Sequence, residues 1–148
     1  MRCPRCPTTI AGDKVVLGEI ETVLVDPPGF AYPARIDSGA EGTSMHAINI
    51  VQFERDGERW IRFDLQDPQT KKLKTLERKK AGRVRVKKVD STLERRVVVL
   101  MKLSIGKLSQ QLEVSLTNRS HFEFPVLIGR NFLRDAAVVD VSQSNTAK

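Results

Sequence analysis

The stretch Ala34-Arg35-Ile36-Asp37-Ser38-Gly39-Ala40 decides the reading of this chain, taken with Phe124-Pro125-Val126-Leu127-Ile128-Gly129-Arg130-Asn131-Phe132-Leu133 further along. In the first, an apolar lead-in ends in a tight turn that presents one carboxylate and one hydroxyl. Gly39 lies there, where another backbone can approach closely. In the second, a short apolar run closes on Gly129. Each run alone is a common loop pattern.

The chain has 148 residues, 40% hydrophobic and 29% charged, enough for one domain with a real core. Aromatic residues are few, so Val, Ile and Leu must supply most of the buried area. They gather in short runs such as Val15-Val16-Leu17, Val97-Val98-Val99-Leu100 and Ala136-Ala137-Val138-Val139, which favour strands. No stretch approaches the roughly 18 apolar residues of a membrane span, and no signal-type apolar block follows the amino terminus. A cytoplasmic location is therefore expected. The formal net charge of +7, with Lys and Arg crowded between Lys71 and Arg96, favours an acidic partner.

The pattern predicts a nearly all-β chain. Lys14 to Val25 reads as a strand interrupted or bulged at Gly18, ended by Asp26-Pro27-Pro28-Gly29. Phe30 to Ile36 then leads into the Asp-Ser-Gly turn. Ile48 to Phe53 and Trp60 to Leu65 alternate around Asp56-Gly57 as a hairpin. Residues 66–88 turn polar and basic, which predicts a mobile loop before a strand near Arg83 to Val89. Arg95 to Leu103 and Ser109 to Thr117 form another strand pair across Ile105-Gly106-Lys107. A short helix at Phe132 to Asp135 and a last strand at Ala136 to Val141 follow. The expected organisation is a flexible segment 1–13 carrying Cys-x-x-Cys, one domain 14–141, and a disordered tail 142–148.

With the flanks added (His46-Ala47, Arg95-Arg96-Val97-Val98 and Leu116-Thr117-Asn118-Arg119), the ordered set resembles a bacterial retropepsin-like aspartic peptidase family often labelled ATP-dependent zinc protease. The resemblance covers roughly residues 14–141. It implies the acid protease fold, a closed β-barrel with one active-site half per chain. The label itself finds no support in the residues. The chain shows neither a Gly-rich nucleotide loop ending in Lys nor His-Glu-x-x-His spacing, so no cofactor or metal is expected.

Aspartic peptidases use two facing carboxylates, and this chain has one Asp-Ser-Gly. The resemblance therefore implies a homodimer that brings Asp37 opposite its copy across a two-fold axis. Two carboxylates so close cannot both ionise and share a proton. One activates water while the other protonates the substrate carbonyl. Asp37, Ser38 and Gly39 are the expected catalytic turn, and Ala40, Glu41, Gly42 and Thr43 the expected substrate contacts. Ile128, Gly129, Arg130 and Asn131 are the expected support, with an ion pair between Glu41 and Arg130 and a flap drawn from residues 66–88. Members of the family are associated with ligases that add glutamates to protein tails, which implies an acidic peptide substrate.

Other readings stay open. The fold could persist as a catalytically silent dimeric module that binds acidic tails or partner proteins. The basic run could serve RNA, although a solvated face is the plainer reading and nucleic acid is not the expected partner. His46 and His121 make no ligand cluster. Cys3 and Cys6 form half of a zinc knuckle, so four thiolates would require two chains.

Overall fold

Alternation of apolar and polar residues fixes which way each strand faces in the computed structural model, which describes residues 14–87, 92–120 and 122–146. The strands are β1 (Val15–Leu17), β2 (Ile20–Val25), β3 (Phe30–Ile36), β4 (Thr43–His46), β5 (Ile48–Arg55), β6 (Glu58–Gln66), β7 (Leu73–Lys87), β8 (Leu93–Ile105), β9 (Leu108–Thr117), β10 (Val126–Ile128) and β11 (Ala137–Val139). One helical turn, α1 (Arg130–Leu133), precedes β11. Val23 and Val25, Ala34 and Ile36, Val97, Val99, Met101, Leu103 and Ile105, and Val114 and Leu116 are all buried. Their neighbours in sequence point the other way.

The nine-stranded sheet runs β2-β3-β10-β4-β9-β8-β7-β6-β5, and a further pairing of β2 with β8 closes its first six strands into a barrel. The fold is thus all-β with a closed barrel and one short helix, as the sequence implied. The barrel interior is filled by Leu17, Met45, Leu103, Ile105, Ile128 and Phe132 among others. Ile61, Phe63 and Leu65 of β6 bring their apolar face to the same core.

β10 decides the position of the site. It lies between β3, with which it is parallel, and β4, with which it is antiparallel. Residues 37–42, which connect β3 to β4, must therefore pass the end of β10 at Gly129.

Several expectations need correction. The strand expected near Arg83 is present but begins at Leu73, so residues 73–82 are not a mobile loop: β7 pairs with β6 from Leu73 to Lys79 and with β8 from Lys80 to Lys87. Main-chain pairing does not require apolar side chains, and an antiparallel sheet tolerates a wet face. The interruption expected at Gly18 is present, and Lys14 to Val25 is divided there into β1 and β2. The helical turn begins at Arg130, two residues before the expected start. The tail is not disordered through Thr146: the Glu19 N–H donates to the Gln143 carbonyl (2.8 Å) and the Asn145 N–H to that of Ile20 (2.8 Å). Thr146 also donates through its hydroxyl to the buried Glu21 carboxylate at 2.8 Å. Cys3, Cys6 and His121 lie outside the described residues. No helix among the described residues is long and apolar enough to cross a membrane.

Candidate active site

Asp37 stands where β3 ends. Its N–H donates to the Ile128 carbonyl at 2.9 Å, continuing the β3–β10 ladder by one step and fixing the residue against β10. The chain then turns tightly. The Gly39 N–H donates to Asp37 Oδ1 at 2.9 Å and the Ala40 N–H to the Asp37 carbonyl at 3.2 Å. An Asx turn of this kind orients the carboxylate by the backbone that follows it. Asp37 is half-buried, while Ser38 and Gly39 are exposed at the tip.

The second motif holds this turn from behind. The Arg130 N–H donates to the Ala40 carbonyl (2.8 Å) and the Asn131 N–H to the Glu41 carbonyl (3.2 Å). Gly129 is packed so closely that a Cβ there would meet the Gly42 carbonyl oxygen, with the Gly42 carbon at 2.6 Å and the Ala40 oxygen at 2.9 Å. Any other residue would push the Asp37 loop away.

Thr43 completes the brace. Its hydroxyl donates to Asn131 Oδ1 at 2.6 Å and accepts the Gly129 N–H at 3.2 Å, while the Asn131 amide donates to the Glu113 carbonyl at 2.8 Å. Thr43 is only 2% exposed, so it supports the loop from below and does not face a substrate. Of the expected substrate contacts, Glu41 and Gly42 are exposed and Ala40 is half-buried. Glu41 and Arg130 form no ion pair. Both side chains are exposed, and the two motifs are joined through backbone hydrogen bonds instead. Ile128 is fully buried and Arg130 exposed.

Beside the brace lies a polar cluster that the sequence did not single out as a site. Arg96, on β8, donates to Ser44 Oγ (3.2 Å) and pairs with Glu94 (3.1 Å). Thr117 donates to the same Glu94 carboxylate at 2.9 Å. Arg119 donates through Nε to the Phe124 carbonyl at 3.1 Å, and its N–H donates to His46 Nδ1 at 2.8 Å. Burial, with the nearby Arg119 charge, holds the His46 pKa below its usual value. Neutral, with Nδ1 as acceptor, His46 is a hydrogen-bonding residue here. Among the described residues no three His, Cys, Asp or Glu side chains converge as metal ligands. The pair Arg95-Arg96 could not reveal which arginine is buried, because alternation is masked when both neighbours are charged.

Comparison with known proteins agrees with this geometry. Curated relatives named "Probable alpha-L-glutamate ligase" occur in Shewanella halifaxensis, 33% identical over 138 residues and 91% of this chain, and in Parasynechococcus marenigrum, 33% identical over 137 residues and 89% of this chain. The chain spans only 30% and 29% of the length of those two relatives. A crystal structure of a Legionella pneumophila protein of unknown function superposes with a TM-score of 0.77 at 30% identity, covering 90% of this chain and 98% of that one. Residues 16–148 match the RimB-like family, described as retropepsin-like aspartic endopeptidase RimB. This chain belongs to the RimB-like family of retropepsin-like aspartic endopeptidases.

Proposed function

We propose that the protein is an aspartic endopeptidase that works as a homodimer, with Asp37 of each protomer contributing one carboxylate of the catalytic pair. The observation that carries this reading is the Asp37 turn itself. A half-buried carboxylate is oriented by its own following backbone and backed by Gly129, Thr43 and Asn131. Such rigidity suits a group that must hold a water against a carbonyl carbon.

In this mechanism one Asp37 carboxylate takes a proton from the attacking water. The protonated partner donates its proton to the carbonyl oxygen, giving a tetrahedral diol that collapses with proton return to the leaving amine. A flap drawn from residues 66–88 excludes water from the site. Ser38, exposed at the turn tip, supplies a hydroxyl for hydrogen bonding across the two-fold axis. The names of the longer relatives refer to glutamate ligation, and the net charge of +7 suits an acidic peptide, so the proposed substrate class is acidic or glutamate-tailed protein.

The test is cleavage of a glutamate-tailed protein and of an unbiased peptide library by wild type and Asp37→Asn, from acid to neutral pH, with chelator present. Metal-independent activity lost in the variant supports the reading. A folded, dimeric wild type that cuts neither substrate class refutes it and leaves the silent binding module.

A further inference from the structure

Two arginines are buried side by side against Ser44 of β4, Arg96 on β8 at 8% and Arg119, just past the end of β9, at 7% exposed. Both reach the same hydroxyl: Arg96 Nη1 lies 3.2 Å and Arg119 Nη1 3.5 Å from Ser44 Oγ. Arg96 is matched by Glu94. Arg119 has no carboxylate within ion-pair distance among the described residues; its guanidinium is bonded to the Phe124 carbonyl and capped by the Phe122 ring, 4.4 Å away. His46, neutral, adds no charge. Among the described residues two buried cations thus share one anion. A buried charge without its counter-charge is costly, so an anionic ligand reaching Arg119 would be stabilised there.

The location ties this excess to the Asp37 turn. Leu127 pairs with Arg35 on one side and Ser44 on the other, so these residues form one row across β3, β10 and β4. Alternation buries Ala34 and Ile36 inside the barrel and sends Arg35 outward, and Asp37 follows with the same parity. Strand spacing and rise put Ser44 roughly 12 Å from Asp37, about three residues of extended peptide.

We propose that Arg96 and Arg119, with Ser44 between them, form a carboxylate-binding subsite that selects peptides carrying an acidic group about three residues from the scissile bond. This deepens the peptidase reading of Asp37 and rests on it for the position of the bond that is cut. A guanidinium presents parallel N–H donors that match the two oxygens of a carboxylate, and the Ser44 hydroxyl adds a third donor. The carboxylate could belong to a side chain or to the chain terminus, because the chemistry is shared.

The experiment is calorimetric binding to Asp37→Asn protein, which does not consume the peptide. The probes are a four-glutamate peptide, its C-terminally amidated form and the four-glutamine analogue. Tetraglutamate should bind about 30-fold more tightly than tetraglutamine, the scale of a charge-assisted hydrogen-bond set. Adding Arg119→Gln should reduce that ratio below about 3, while Arg59→Gln on the exposed surface should leave it unchanged. Should Arg119→Gln fail to fold, Ser44→Ala decides, with a several-fold fall in the ratio expected. Retained preference with the amidated peptide assigns a side-chain carboxylate; its loss assigns the terminus. Equal binding of tetraglutamate and tetraglutamine, or a ratio between them that survives both the Arg119 and Ser44 changes, overturns the proposal. Because the binding protein lacks the Asp37 carboxylate, this result is independent of whether wild type cleaves anything.

Discussion

Replacing Gly129 with Ala tests the joint between the two halves of the site. The added methyl would meet the Gly42 carbonyl oxygen, with the Gly42 carbon at 2.6 Å and the Ala40 oxygen at 2.9 Å. These are backbone atoms, so the 37–42 loop must retreat by about 1 Å to restore ordinary contact. The retreat loosens three hydrogen bonds: Gly129 N–H to the Thr43 hydroxyl (3.2 Å), Arg130 N–H to Ala40 (2.8 Å) and Asn131 N–H to Glu41 (3.2 Å). At about 1 kcal/mol each, the loss is roughly 3 kcal/mol, similar to the upper range for overpacking a tight core. Gly42→Ala is the control, since a Cβ on Gly42 meets nothing within 4 Å and should change stability by less than about 0.5 kcal/mol. Denaturant unfolding of both variants, at one protein concentration because dimerisation would add to stability, reads the difference. A Gly129→Ala cost below about 1 kcal/mol, or an equal cost for Gly42→Ala, would refute the wedge.

Thr43→Val keeps the volume but removes the hydroxyl that serves Gly129 and Asn131, and should cost about 2 kcal/mol in the same assay. Gly18→Ala sets a methyl against Gln143 and 2.8 Å from Ser144 Cα, so it should displace the C-terminal tail; amide exchange at Glu19 and Asn145 should accelerate while the barrel strands stay protected. His46 titrates lower in the folded than in the unfolded chain, because of burial first and Arg119 second. The unfolded state then binds the proton more readily, so stability falls as pH drops below about 6.5. His46→Gln should flatten that part of the stability–pH curve, and an unchanged slope would show that other groups carry it.

Much of the barrel was legible because its strands obey period two with one face buried, as in Leu112-Glu113-Val114-Ser115-Leu116, and because Asp56 and Gly57 supply the positive φ angles of a tight hairpin turn. The Asp37 and Gly129 motifs were legible because each needs a special backbone environment. What escaped has a common physical cause: it depends on partners distant in sequence. Residues 73–82 extend the expected strand toward Leu73 because β6 and β8 pair with them, which their own basic composition does not express. The tail to Thr146 is held by Gly18 and by the buried Glu21 carboxylate, more than a hundred residues earlier. Thr43 reads as one of several hydroxyls after the turn, and only the fold turns it inward to Gly129. The expected Glu41–Arg130 pair failed because the two backbones, not the two side chains, make the contact.

The central claim is that one active site takes Asp37 from two chains. Its most direct test is peptidase activity of dimers re-formed from wild type and Asp37→Asn mixed in varying proportion at constant total protein. If a site needs both carboxylates, activity follows the square of the wild-type fraction and falls to about a quarter in an equal mixture. Linear dependence, with about half the activity remaining, would mean that each chain acts alone and would contradict the account.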